Sequence, residues 1–241
     1  MIKLTAINEE HRKKKAINEY FHDQSSKPEY LNRFIRFQPC VDKAHILDID
    51  YIFVDIETSG LNADADCILS VGWVCLTSGR LDLSSARRHY IKVAKGIKID
   101  NATIHHILPE MLECGCDLDI VFQEMFKMGN GRRIVVHGAC VESEFFSIYF
   151  KNKYKIKVLP IFYIDTLLIE KFFALKHRQD KNDLRLSSIR KEYGLQEYSS
   201  HDALIDAISA AELFLCQVER LRAFNITKFG QICKISEVFK R

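Results

Sequence analysis

Residues 51–57 read Tyr-Ile-Phe-Val-Asp-Ile-Glu, and this run restricts the possible fold more than any other stretch. Successive side chains of a strand point to opposite faces. Ile52, Val54 and Ile56 therefore take one face, and Tyr51 and Phe53 the other. A strand apolar on both faces must be covered on both, which places it inside a layered sheet. The same run ends in two acids, Asp55 and Glu57, which leave one face together. Adjacent carboxylates repel and raise each other's proton affinity unless a cation neutralises them. Hard oxygen donors at this spacing suit Mg²⁺ or Mn²⁺. Two solvated acids at a strand end would read the same on these residues alone. Thr58-Ser59-Gly60-Leu61 follows as a small flexible turn whose backbone N–H groups can approach a ligand.

The pattern around this strand predicts an α/β chain. Strands are expected over about 67–76 and 87–93, with Ser78-Gly79 between them, which suggests an antiparallel meander. Helices over 109–114, 118–128, 142–150, 165–175, 184–193 and 202–221 then alternate with short strands over 133–137 and 161–164. Meander followed by alternation gives a mixed central sheet with helices on both faces. Before the sheet, residues 8–22 suit a surface helix, broken at Ser25-Ser26-Lys27-Pro28.

Composition excludes some classes. The chain has 241 residues, 47% hydrophobic, with a net charge of +3. That charge is too small to mark a polyanionic partner by itself. The eight cysteines form no Cys-x-x-Cys pair and read as reduced thiols. The charged N-terminus lacks an apolar signal segment, and no apolar run matches a membrane span, so a cytoplasmic protein is expected.

Two further clusters carry acids. Val135-Val136-His137-Gly138 ends a strand, and the helix after it puts Glu142 on one face with Phe145, Phe146 and Tyr149. Glu142 thus points inward and Glu144 outward. An inward carboxylate needs a partner or a metal; a helix-start acid favoured by the macrodipole is the plainer alternative. In His201-Asp202-Ala203-Leu204-Ile205-Asp206-Ala207, Asp202 suits an N-cap and Asp206 shares a face with Ala210, Leu213 and Phe214. His201 lies on the loop just before the helix; a capping Asp, a surface His and a buried acid with local hydrogen bonds would read the same.

Together the clusters resemble the DEDDh, or DnaQ-like, 3′→5′ exonucleases of the RNase H-like superfamily. The first motif of that family, Asp-x-Glu-Thr-x-Gly-Leu, is matched by Asp55, Glu57, Thr58, Gly60 and Leu61, and the third, His-x4-Asp-Ala, by His201, Asp206 and Ala207. Ile104-His105-His106-Ile107, Ile164-Asp165-Thr166-Leu167 and Tyr193-Gly194-Leu195 are lesser matches. The resemblance covers about 51–221 and departs at the second motif, where many members have Asp and this chain has Glu142. It is closer to the proofreading type, such as the epsilon-subunit exonuclease domain of DNA polymerase III, than to oligoribonucleases.

That resemblance implies an RNase H-like fold and two divalent ions, Mg²⁺ or Mn²⁺, held by Asp55, Glu57, Glu142 and Asp206. It implies His201 as general base and Asp55 as the bridge between ions. Thr58, Ser59, Gly60 and Leu61, with His105, would hold the terminal nucleotide. Asp165 would orient a water or a neighbour of the metal site, or equally cap a helix. The implied substrate is DNA with a free 3′ end, with RNA as the alternative, and a polymerase is a candidate protein partner. The chain then divides into a basic, partly helical extension over 1–48, the exonuclease domain over 49–225 and a helix or tail over 226–241.

Residues 151–191 carry more Lys and Arg than acids, and Lys151, Lys153, Lys155 and Lys157 would line one side of an extended segment, where they could follow a phosphate backbone or equally form a solvated edge that discourages strand pairing. Two rival readings remain. One is a nucleic-acid-binding adaptor of this fold without turnover. The other is a zinc protein using His105, His106, Cys114 and Cys116, whose Cys-x-Cys spacing fits common zinc sites poorly.

Overall fold

The structure is a computed structural model and describes residues 13–38, 42–93, 107–178, 180–199 and 201–238. Five strands form one sheet in the order β3-β2-β1-β4-β5. These are β1 (Tyr51–Thr58), β2 (Ile68–Thr77), β3 (Arg80–Tyr90), β4 (Arg133–Val136) and β5 (Tyr163–Asp165). β1, β2 and β3 pair antiparallel, whereas β4 and β5 join β1 in parallel. The mixed sheet and its meander are as the sequence predicts.

The double-faced apolar run explains why β1 is central. Ile52, Val54 and Ile56 pack into one core with Phe122, Phe126, Phe146 and Phe150. Tyr51 and Phe53 pack into the opposite core with Phe173, Phe214 and Phe229. The first core is closed by α1 (13–22), α2 (Glu29–Arg36), α4 (Leu118–Met128) and α5 (Cys140–Tyr154). The second is closed by α6 (Thr166–His177), α8 (Ala203–Arg222) and α9 (Phe229–Val238). Short helices α3 (Pro109–Glu113) and α7 (Leu186–Glu192) complete the described set. The segment before Asp50 and the segment after Asn225 thus both supply core side chains: Tyr20, Leu31 and Phe34 are buried, as are Phe229 and Ile232.

Two sequence expectations need correction. β3 begins at Arg80, not near 87, because Ser78 and Gly79 both adopt left-handed backbone, with φ of 50° and 71°, and reverse the chain within two residues. β3 is an edge strand with a mostly exposed first half, so its apolar alternation is faint. The expected row of lysines does not form. α5 continues to Tyr154, whose ring stacks on Phe150 one turn earlier, so Lys151 and Lys153 are helical and Lys155 closes the helix in left-handed conformation at φ 58°. Lys153 is occupied by Tyr149 and lies 3.6 Å from Asp119. The period-two pattern of charges lost to the 3.6-residue pattern of aromatics.

One glycine decides how close α8 comes to the sheet. Gly72 on β2 faces Asp55 on β1. A Cβ at residue 72 would lie 2.2 Å from the Ala203 carbonyl carbon and 2.3 Å from the Leu204 nitrogen. The first turn of α8 therefore rests on bare backbone, and only glycine allows it. Gly72→Ala should destabilise the protein by about 1–3 kcal/mol, because backbone rather than a flexible side chain must yield. Equilibrium denaturant unfolding measures this; a midpoint equal to wild type would mean that α8 does not sit on β2 as described.

Candidate active site

The carboxyl end of β1 collects acids from three elements. Asp55 and Glu57 come from β1 and Asp206 from the first turn of α8, and one oxygen of each lies within 4.8 Å of the others. Glu142 approaches from the first turn of α5, on the other side of the sheet edge, and is 3% exposed. It is not part of the 4.8 Å trio, but its charge acts on Asp55. Glu142 Oε2 has no hydrogen-bond partner among the described residues. The inward reading of Glu142 holds, and Glu144 is exposed.

Burial and crowding shift these groups upward together. Desolvation pushes Asp55 well above the ordinary carboxylate range, and Glu142, Asp206 and Glu57 push it further. Glu57 rises from 4.5 to about 7, from burial and then from Asp206 and Asp202. Glu142 rises from 4.5 to about 8, chiefly from burial. Asp206 is also raised by burial. Carboxylates that disfavour their own charge and leave a buried oxygen unpartnered fit a divalent cation.

His201 is exposed and holds a left-handed φ of 68°, uncommon for a residue with a side chain. Its N–H donates to Asp206 Oδ2 at 2.9 Å, which ties the loop to the cluster. Upstream, the Arg190 guanidinium anchors the same loop by donating to the Gln196 carbonyl at 2.8 Å and to Glu212 at 2.7 Å. Asp202 is the N-cap that the sequence predicts, accepting from Leu204 and Ile205.

The second motif is positioned by Asp165. Its carboxylate accepts the Gly138 and Ala139 N–H groups at 2.9 Å each and also caps α6 through Leu167. One buried side chain thus ties the start of α5, and with it Glu142, to β5. Asp165 is the cap of α6 that the sequence allows, and through Gly138 and Ala139 the same carboxylate also orients the start of α5. His137 is a brace: its ring nitrogens meet the Thr166 hydroxyl at 2.8 Å and the Leu184 carbonyl at 2.9 Å, and burial lowers its pKa.

The turn after β1 is held by Asp66, which the sequence reading did not single out. Ser59 Oγ donates to Asp66 Oδ1 at 3.0 Å and the Asn62 N–H to Asp66 Oδ2 at 2.9 Å. A Cβ on Gly60 would fall 2.5 Å from the same carboxylate. Thr58 donates its hydroxyl to the Gly60 carbonyl at 2.7 Å. Leu61 is left 79% exposed at the tip, beside a groove of ≈ 660 Å³ that Ser143, Ser147 and Ile148 line from α5. His105 and His106 lie outside the described residues. Cys114 and Cys116 are exposed, and Cys116 Sγ lies 3.8 Å from His89 Nδ1.

The profile of the RNase T exonuclease family matches residues 52–214, which span the sheet and every acid of the cluster. The chain belongs to this exonuclease family. It is an exonuclease of the DnaQ-like DEDDh type. Among relatives, the chain is 29% identical over 194 residues to the PolC-type DNA polymerase III of Thermotoga maritima, covering 79% of this chain and 13% of that protein. With the enzyme of the same name from Thermotoga petrophila it shares 30% over 186 residues, covering 76% and 13%. The chain thus spans about an eighth of the length of the curated relatives it matches. Two solved structures share the fold. One is the nuclease domain of 3′hExo, a DEDDh family member bound to rAMP, with a TM-score of 0.60, 14% identity and coverage of 73% and 95%. The other is E. coli Exonuclease I in complex with a dT13 oligonucleotide, with a TM-score of 0.62, 16% identity and coverage of 73% and 43%. No helix among the described residues is long and apolar enough to cross a membrane.

These shifts set a pH dependence for the metal-free exonuclease domain. Glu57 and Glu142 bind more protons folded than unfolded, between 4.5 and about 7 and between 4.5 and about 8 respectively. Their contribution to stability is therefore full below the unfolded value and is lost as pH rises through the folded one. In chelator, the melting temperature should fall across this window more steeply for wild type than for Glu142→Gln, and Mn²⁺ should restore it most at the alkaline end. Equal slopes for the two proteins would contradict the buried, crowded state of Glu142.

Proposed function

We propose that this chain is a metal-dependent 3′→5′ exonuclease that removes nucleoside monophosphates one at a time from a free 3′ end of DNA. The observation that carries this reading is the convergence of Asp55, Glu57 and Asp206 within 4.8 Å, with buried Glu142 beside Asp55. Asp55, Glu57, Glu142 and Asp206 would hold two divalent ions, Mg²⁺ or Mn²⁺. When bound, such ions neutralise the carboxylates and the phosphate and make a water more acidic.

The chain's own groups perform the remaining work. His201 accepts a proton on a ring nitrogen as water oxygen attacks the terminal phosphorus. The P–O3′ bond breaks, the departing O3′ takes a proton from solvent water to become the new 3′ hydroxyl, and a nucleoside 5′-monophosphate is released. Thr58, Ser59, Gly60 and Leu61 hold the terminal nucleotide, with the exposed Leu61 offering an apolar contact to its base; His105 belongs to the same proposed set. Asp64 and Glu144 line the groove next to Leu61, so the strand's phosphates are expected to avoid that wall. The PolC-type relatives, at 29% and 30% identity, support DNA as substrate and a polymerase as protein partner.

Oligonucleotides of matched sequence, DNA and RNA, labelled at the 5′ end, test this. With Mn²⁺ or Mg²⁺ the DNA should shorten one nucleotide at a time, and chelator should stop it. Asp206→Asn should abolish release, and His201→Ala should slow it by about 10²–10⁴-fold. Binding without any shortening by wild type would make the chain an adaptor, and faster trimming of RNA would reassign the substrate.

A further inference from the structure

Arg88 stands on the same sheet face as the acidic cluster, in line with Asp55. Asp55 on β1 is opposite Gly72 on β2, and Gly72 is opposite Arg88 on β3. Opposed residues of neighbouring strands project to the same face. Asp55 and Arg88 therefore share one row, with a residue that has no side chain between them. Three strands make this row about 10 Å wide, and the first turn of α8 sits over Gly72 in its middle. Arg88 Nη1 bonds Asp202 Oδ2 at the start of α8.

Asp202 uses its two oxygens differently. Oδ1 accepts the N–H groups of Leu204 and Ile205 at 3.1 and 3.2 Å, and Oδ2 takes Arg88. One carboxylate thus ties the first turn of α8 to the edge strand. The residue before it is His201, whose left-handed backbone persists only if its surroundings hold it. The Arg88 guanidinium is itself steadied over the Tyr90 ring, 5.1 Å from its centre. A partly exposed ion pair of this kind adds little to stability. Its effect is geometric.

We propose that Arg88 is a positioning residue for His201. Through Asp202 it fixes where the imidazole stands relative to Asp55, Glu57 and Asp206. It touches neither the ions nor the strand. The idea rests on the reading of His201 as general base.

The test is a double-mutant cycle on the full chain, with Mn²⁺ and 5′-labelled single-stranded DNA. Arg88→Ala should lower kcat by about tenfold, a loss in line with a small misplacement of a catalytic group, and leave KM unchanged. In a His201→Ala background the same substitution should cost nothing further, because the group it positions is gone. Asp202→Asn, which keeps a good cap but removes the charge pair, should reproduce the loss if Arg88→Ala does not fold. Effects that multiply, or a tenfold rise in KM, would instead make Arg88 a phosphate contact and overturn the proposal. An unchanged kcat for both variants would overturn it as well. His201→Ala turning over at the wild-type rate would remove the general base first, a failure visible in that variant alone.

Discussion

Mutual repulsion among Asp55, Glu57, Glu142 and Asp206 is the constraint around which the rest of the molecule is arranged. Each acid is partly or fully removed from water, and each raises or shares in the cost of charging Asp55. Such a cluster opposes folding when it is ionised. Two apolar cores, one on each face of β1, supply the cohesion that holds it closed. The site is therefore assembled by packing that is indifferent to charge and completed by whatever positive charge enters.

The assembly uses few parts, and each acts on a helix start, a turn or a loop. Gly72 lets α8 rest on the sheet, which carries Asp206 to Asp55. Asp165 binds the turn at Gly138 and Ala139, which sets the start of α5 and Glu142. Asp66 closes the turn after β1 and leaves Leu61 outward. Arg190 and Asp206 secure the loop that carries His201 from its two ends. The acids come from three segments far apart in sequence: β1, the start of α5 and the start of α8.

Much of this was legible before any coordinates. The apolar run at 51–56 named the central strand because both its faces are covered. Glu142 was correctly turned inward, since three aromatic residues share its helical face. Asp202 was correctly placed as a cap. The lysine row failed because charges at alternate positions on a helix and on a strand look alike in a short window, and the aromatic stripe ahead of them decided the matter. Gly72 carried a readable signal, a glycine inside an apolar strand, which often marks close approach of another backbone. Asp66 and Arg88 carried none, as an acid or an arginine near a strand end is ordinary on a surface.

The sequence by itself determined the family, the central strand and which acids could share a site, because those properties reside in local order and spacing. It could not tell that α8 comes within contact of bare β2 backbone, that one oxygen of Asp202 would meet Arg88 across the sheet, or that Asp66 would organise the turn. Those facts depend on contacts between residues four to over a hundred positions apart. Only the closed sheet and its packed helices decide them, because distances between segments are set by the whole core and not by any neighbouring residue.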